Sequence, residues 1–102
     1  MRCLWMVREA ERGSLRVAFV VPGRLASAVR RNRVRRLMRA AFDRERDTIV
    51  TQIHLQGIGL WLLFLFRPRS PADLRRLSLA DVHPDIAALC RDVRGMLRDH
   101  SS

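Results

Sequence analysis

The stretch "ASAVRRNRVRRLMRAAF", residues 26–42, decides how this chain folds. Its apolar residues recur at intervals of three and four, and they are Val34, Leu37, Met38, Ala41 and Phe42. This spacing predicts a helix with one apolar face packed on a core. Because Ser27 is a favourable N-cap residue, we expect the helix to begin near Ala28 and to run to about Asp47.

The opposite arc of this predicted helix is strongly basic and holds Arg33, Arg35, Arg36 and Arg39 together with Asn32. Within residues 26–42 there are six arginines and no acid, and the arginines are Arg30, Arg31, Arg33, Arg35, Arg36 and Arg39. Ordinary exposed helices interleave opposite charges, because like charges one turn apart repel each other. The pattern therefore favours a surface for a polyanion such as nucleic acid, the alternative being a merely solvated charged face. The small Ala40 on the same side would let a partner approach closely.

Length and composition predict a single globular domain over residues 1–102. The sequence is 48% hydrophobic and carries a net charge of +10, and all 20 basic residues are arginine. The absence of lysine has two interpretations, a bias in codon usage or a selection for guanidinium groups that bind phosphate with two hydrogen bonds. The net charge points to an anionic partner under either interpretation.

Few residues suggest catalytic or metal chemistry. The only cysteines, Cys3 and Cys90, are too few for a disulfide framework, and no His/Cys spacing is typical of a metal site. The histidines are scattered, at positions 54, 83 and 100. Asp43, Glu45 and Asp47 alternate with arginines, which favours charge balance over a metal site. The sequence predicts no catalytic residue, metal ligand or cofactor in this chain.

The same sequence predicts a cytoplasmic protein without a membrane segment. Its first residues lack the apolar run and cleavage site of a signal peptide, and the apolar run Gly57–Phe66 is shorter than the roughly 20 residues that span a bilayer. No membrane partner is expected.

Three apolar runs predict strands. Cys3–Val7 and Leu15–Val21 suit two antiparallel strands joined by a hairpin loop, the second ended by a Pro-Gly pair. Ile58–Phe66 is apolar throughout, which is typical of a central strand buried on both faces. The two tryptophans are predicted core residues, and Trp5 has the alternative of a stacking platform for bases. Thr48–Gln56 fits either a helical extension or an irregular connection.

A second amphipathic helix is predicted near the end of the sequence. It follows a loop at Arg67–Arg76 and begins with a Ser78-x-x-Asp81 cap. Its apolar positions are Ile86, Leu89, Cys90, Val93, Met96 and Leu97, and Pro84 suits its first turn. The order β-β-α-β-α predicts an α+β fold, a two-layer sandwich of one small sheet covered by helices.

The basic helix resembles the signature of the bacterial ribonuclease P protein component. The family motif "A-V-x-R-N-R-x-[KR]-R-x-[ILM]-R" is matched by residues 28–39, "AVRRNRVRRLMR". An asparagine between two arginines at this offset is much more specific than a basic helix. "LRVAFVVPGRLASA" and "LWLLFLFRP" are similar to two further family segments, and the last helix is similar to the family's closing helix, so the resemblance covers most of the chain.

This resemblance implies a fold, a function and a set of contact residues. The family has an α/β sandwich with a left-handed β-α-β crossover, an exception to the usual right-handed rule. Its members bind the catalytic RNA of ribonuclease P, which removes 5′ leaders from precursor tRNA with RNA-held magnesium. By motif position the resemblance implies RNA contacts, and with the neighbouring basic residues the predicted RNA-binding set is Arg24, Arg30, Arg31, Asn32, Arg33, Arg35, Arg36 and Arg39.

The sequence departs from the family pattern in two places. Members normally begin with a basic, aromatic-containing helix that forms one wall of the cleft for the precursor leader, whereas this sequence starts in what resembles the following strand. The expectation is thus a family domain without that helix. Pro22-Gly23-Arg24 stands where the family usually has Ser-Lys-Lys, which leaves Arg24 as the only basic residue there.

Two other functions fit a basic surface. One is a structural RNA-binding protein of ribosomal type, which affinity for ribosomal RNA would identify. The other is a small DNA-binding module with the basic helix in a major groove, although no helix-turn-helix spacing is present.

Overall fold

The central strand of the sheet is the most apolar run of the sequence. The structure, a computed structural model, describes residues 1–25, 27–67 and 77–101. Its strands are β1, Arg2–Arg8, β2, Leu15–Val20, and β3, Gly59–Leu65. They lie in the order β1-β3-β2, with β1 antiparallel and β2 parallel to β3. The predicted central position of β3 is confirmed.

The predicted hairpin between β1 and β2 is wrong. Both strands pair with β3 and neither pairs with the other, because β3 lies between them. The connecting loop crosses β3 at its first residues. There the Gly13 amide donates to the Ile58 carbonyl at 2.9 Å, and the Leu60 amide donates to the Ser14 carbonyl at 2.9 Å. Gly13 has a φ of 75°, a left-handed conformation that glycine adopts without steric cost.

The two faces of β3 have different environments. Leu60, Leu62 and Phe64 are buried against the helices, while Trp61 and Leu63 on the other face are only half-buried. The prediction of a strand buried on both faces is therefore wrong, since no described residue covers the second face. An uninterrupted apolar run does not show which of its two faces receives the helices.

The basic segment forms α1, Ala28–Asp43, and a separate helix follows it as α2, Arg46–Gln56. The Ser27 hydroxyl accepts a hydrogen bond from the Arg30 amide at 3.4 Å, which confirms the predicted N-cap. The predicted end near Asp47 is wrong by one turn, because the chain turns at residues 44 and 45, where the Glu45 amide donates to the Phe42 carbonyl at 2.8 Å. The undecided segment at residues 48–56 is helical.

The last helix is α3, Leu79–Ser101. The Ser78 amide and hydroxyl both donate to the Asp81 carboxylate at 2.9 Å, which confirms the predicted cap. Most of the predicted apolar positions are buried, whereas Leu89 is half-buried and Met96 is 48% exposed. Pro84 lies inside the helix and not in its first turn, because the Ser78 cap starts the helix at Leu79. The predicted loop at residues 67–76 lies, after Arg67, outside the described residues.

The core joins the two layers through α1. Of its predicted apolar face, Leu37 is half-buried, and the others are fully buried: Val34, Met38, Ala41 and Phe42. The Phe42 ring contacts two sheet side chains, with its centroid 6.1 Å from that of Phe19 and 5.7 Å from that of Phe64. α1 also packs against α3. The architecture is the predicted α+β sandwich, and α1 and α2 connect the parallel strands β2 and β3.

The left-handed sense of the β2-α1-α2-β3 connection stays a prediction. No helix among the described residues has the length and apolar composition needed to cross a bilayer.

We predict that Gly59→Ala lowers the free energy of unfolding by more than about 1 kcal/mol, because a forced side chain in a packed site costs about 1–3 kcal/mol. A Cβ atom at Gly59 would lie 2.2 Å from the Glu11 carbonyl oxygen and 2.9 Å from that of Arg8, and both obstacles are main-chain atoms. Urea unfolding followed by circular dichroism measures the change.

Gly95→Ala is the matched control. A Cβ atom there meets nothing within 4 Å, and the residue lies inside α3. This change should raise the stability by about 0.5–1 kcal/mol, the usual gain for alanine over glycine in a helix. Equal effects of the two substitutions would contradict the close main-chain approach at Gly59.

Candidate nucleic-acid interface

The surface of α1 and the turn before it collect positive charge. We call this surface the arginine face, and its members are Arg24, Arg30, Arg31, Asn32, Arg33, Arg35, Arg36 and Arg39. Arg24 lies in a short 3-10 turn, Gly23–Leu25, and the others lie on α1. Arg31 and Arg35 are half-buried, and the remaining members are exposed. The first acid in α1 is its last residue, Asp43, which pairs with Arg46 at 3.2 Å.

Three members of the arginine face are held by hydrogen bonds to uncharged oxygens. Arg31 Nη1 donates to the Gly23 carbonyl at 2.9 Å, which brings the 3-10 turn with Arg24 against α1. Arg33 Nη2 donates to the Leu77 carbonyl at 2.6 Å. Arg35 Nη1 donates to Asn32 Oδ1 at 2.7 Å. Because a guanidinium has five N–H donors, Arg33 and Arg35 retain donors for a further acceptor.

The other arginines of α1 extend from the surface with fewer restraints. Arg39 lies with its guanidinium carbon 5.8 Å from the centroid of the Phe19 ring. The side chains of Arg30 and Arg36 are exposed and make no hydrogen bond or ion pair with any described residue. The structure thus places seven of the eight predicted residues on α1 and Arg24 in the turn before it, and their contact with RNA stays a prediction.

The remaining polar groups offer little nucleophilic chemistry. Burial raises the pKa of the Cys3 thiol to about 11. Burial, reinforced by the Glu45 charge, raises the pKa of the Cys90 thiol to about 12. Both thiols are therefore protonated at neutral pH. His83 Nε2 lies 3.2 Å from Glu45 Oε1, in a half-buried pair that connects α3 to the start of α2. Among the described residues, no three His, Cys, Asp or Glu side chains could hold a metal ion together.

The sequence analysis missed a second surface, which we call the open sheet face. It is the uncovered side of the sheet, and it holds a shallow cavity of about 340 Å³. Leu4 and Met6 are 48% and 53% exposed there. The residues around the cavity are Leu4, Trp5, Met6, Arg16, Val17, Ala18, Trp61, Leu62 and Leu63.

Trp61 is the centre of the open sheet face. The guanidinium carbons of Arg8 and Arg16 lie 4.5 and 5.5 Å from its ring centroid. Its indole N–H donates to the Glu11 carboxylate at 2.8 Å, which fixes the orientation of the ring. The prediction that Trp61 is a core residue is therefore wrong, whereas Trp5 pairs with Leu62 in register and packs against the core.

Strand register explains why this surface was missed. Met6 and Arg16 lie on either side of Trp61, one on β1 and the other on β2. The signal in the sequence is the alternation of outward residues on β1 and β2. The outward residues of β1 and β2 predict a shared surface around Trp61 only when β3 is placed between these two strands. The predicted hairpin paired β1 directly with β2.

Comparison with known proteins agrees with this geometry. A family model described as Ribonuclease P matches residues 2–93, which includes the three strands, α1, α2 and most of α3. No match was found among curated proteins or among solved structures. Because the family match covers most of the chain, including the whole of α1 with its arginine-asparagine-arginine motif, this chain belongs to the ribonuclease P protein family.

Proposed function

We propose that this chain assists the catalytic RNA of ribonuclease P in removing 5′ leaders from precursor tRNA. The observation that carries the proposal is the arginine face, on which no acidic side chain precedes Asp43 along α1. Family membership implies association with the ribonuclease P RNA. Cationic side chains that neutralise RNA phosphates release counterions, and this release drives binding.

In this proposal the RNA performs the cleavage, and the magnesium ions belong to the RNA. The protein contributes positive charge where two polyanions, the catalytic RNA and the precursor tRNA, come together. Arg30 and Arg36 suit phosphate contacts because they are exposed and carry no partner among the described residues. The proposal places the protein in the cytoplasm with its RNA.

The open sheet face suits an unpaired nucleotide of the precursor leader. Single-stranded RNA is bound by aromatic rings that stack on bases and by cations that contact the backbone. Trp61 and the neighbouring Arg8 and Arg16 supply both on an apolar floor. A leader on this face and a catalytic RNA on the arginine face would contact separate parts of one small domain.

The alternatives differ in what they demand of the surface. A DNA-binding module would place the arginines of α1 against base edges in a major groove, so binding duplex DNA as tightly as the ribonuclease P RNA would favour that function. A structural RNA-binding protein of ribosomal type would use the same surface. Relative affinity for the ribonuclease P RNA and for ribosomal RNA fragments separates that function from the proposed one.

The deciding experiment is cleavage of precursor tRNA by the cognate ribonuclease P RNA at low magnesium, with and without the protein. We expect the protein to increase the cleavage rate, because it replaces part of the charge screening that magnesium otherwise provides. No stimulation despite tight binding to this RNA would refute the assistance in leader removal while leaving the RNA-binding surface intact. No binding would refute the proposal as a whole.

We predict that Arg36→Ala weakens binding to the ribonuclease P RNA by removing one phosphate contact. The slope of log K against log salt should shrink by about 0.7–0.9, the value expected for one phosphate. Filter binding over a series of salt concentrations measures the slope. Arg91→Ala is the control, because Arg91 is exposed on α3, is not a member of the arginine face, and changes the net charge equally. Equal slopes for the two variants would show that only net charge matters.

We predict that Arg16→Ala reduces the preference for precursor over mature tRNA. The substitution removes a cation beside Trp61, and one stacking or cation contact of this kind contributes about 1–3 kcal/mol. Affinity of the holoenzyme for precursor tRNA should fall at least about fivefold, which is about 1 kcal/mol, while affinity for mature tRNA stays constant. Equal losses for the two RNAs would place the leader elsewhere.

A further inference from the structure

Three hydrogen bonds of the arginine face share one property. The acceptors that hold Arg31, Arg33 and Arg35 are the Gly23 carbonyl, the Leu77 carbonyl and the Asn32 side-chain amide. None of the three acceptors carries a charge. A carboxylate at the same place would fix the guanidinium as well, but it would cancel the positive charge that the RNA must meet.

We propose that Asn32 is a positioning residue that orients Arg35 toward RNA phosphate without neutralising it. Asn32 Oδ1 accepts from Arg35 Nη1 at 2.7 Å, between residues three apart on the same side of α1. Asn32 is exposed and Arg35 is half-buried, so the amide restrains a side chain that already lies along the helix surface. The proposal rests on the proposed RNA-binding function and deepens it, because Asn32 orients and Arg35 binds.

Restraint of this kind affects binding through entropy. A free arginine side chain loses about 0.5–1.5 kcal/mol of rotamer freedom when an interface immobilises it. If the side chain is already held in the binding geometry, less of this freedom is lost when RNA arrives. The Leu77 carbonyl restrains Arg33 in the same way from the chain that enters α3. Arg36, which has no partner among the described residues, is the unrestrained counterpart on the same helix.

The test is a double-mutant cycle on affinity for the ribonuclease P RNA, with Asn32→Ala, Arg35→Ala and the double variant. Asn32→Ala should weaken binding about three- to tenfold, the equivalent of one immobilised side chain. Because the net charge is unchanged, the salt slope should stay at the wild-type value. In the Arg35→Ala background, Asn32→Ala should have no further effect.

Asn32→Asp provides the second arm, because aspartate keeps the acceptor and adds a negative charge. We expect its thermal stability to equal or exceed that of the wild type, since a carboxylate three and four residues before Arg35 and Arg36 forms favourable charge pairs on the helix. RNA affinity should nevertheless fall further than in Asn32→Ala, and the salt slope should shrink by about 0.7–0.9.

Three results would overturn the proposal. The first is wild-type affinity in Asn32→Ala. The second is an effect of Asn32→Ala that persists in full without Arg35, which would mean that the amide contacts RNA directly. The third is wild-type affinity in Asn32→Asp. Failure of the wild-type protein to bind the ribonuclease P RNA would instead refute the proposed function, and melting curves of each variant separate loss of binding from loss of folding.

Discussion

The burial of one side of α1 is the constraint on which the structure depends. Arginines one turn apart on the other side repel each other by about 0.2–0.5 kcal/mol per pair. Each large apolar side chain that α1 buries contributes about 1.5–3 kcal/mol in the opposite direction. Val34, Met38 and Phe42 are fully buried, so the packing outweighs the repulsion and the charge is concentrated without unfolding the helix. Burial of the apolar face of α1 therefore allows the basic face to form.

The sheet receives this helix through a small aromatic cluster. Phe19 and Phe64 stack on neighbouring parallel strands with centroids 5.7 Å apart, and Phe42 contacts both rings. β2 and β3 are parallel, and α1 and α2 supply the long crossover connection that a parallel pair requires. β1 then completes the sheet on the remaining side of β3. The helices occupy one face, and the other face is left as a shallow apolar surface with Trp61 at its centre.

The sequence predicted those parts of the fold that local pattern determines. The period of α1, its Ser27 cap and the Ser78 cap of α3 depend on residues close in the chain, and all three are present. Strand pairing depends on contacts distant in the chain, and there the hairpin prediction was wrong. Contacts distant in the chain also limited the prediction of the functional surfaces. Motif position placed the arginine face, whereas the pairing of Trp61 with Arg16 needed the register of two parallel strands.

The distribution of acids follows from the same electrostatic logic. Along the sequence of α1 the first acid is Asp43, and this acid and the next one have partners of their own, Asp43 with Arg46 and Glu45 with His83. Along α1 itself, orientation comes from carbonyl and amide oxygens instead. A hydrogen bond to a neutral acceptor restrains a guanidinium but leaves its full charge to act over about a Debye length, roughly 8–10 Å at physiological salt. A surface that binds a polyanion needs ordered side chains and positive charge. Neutral acceptors order the guanidinium groups without reducing their charge.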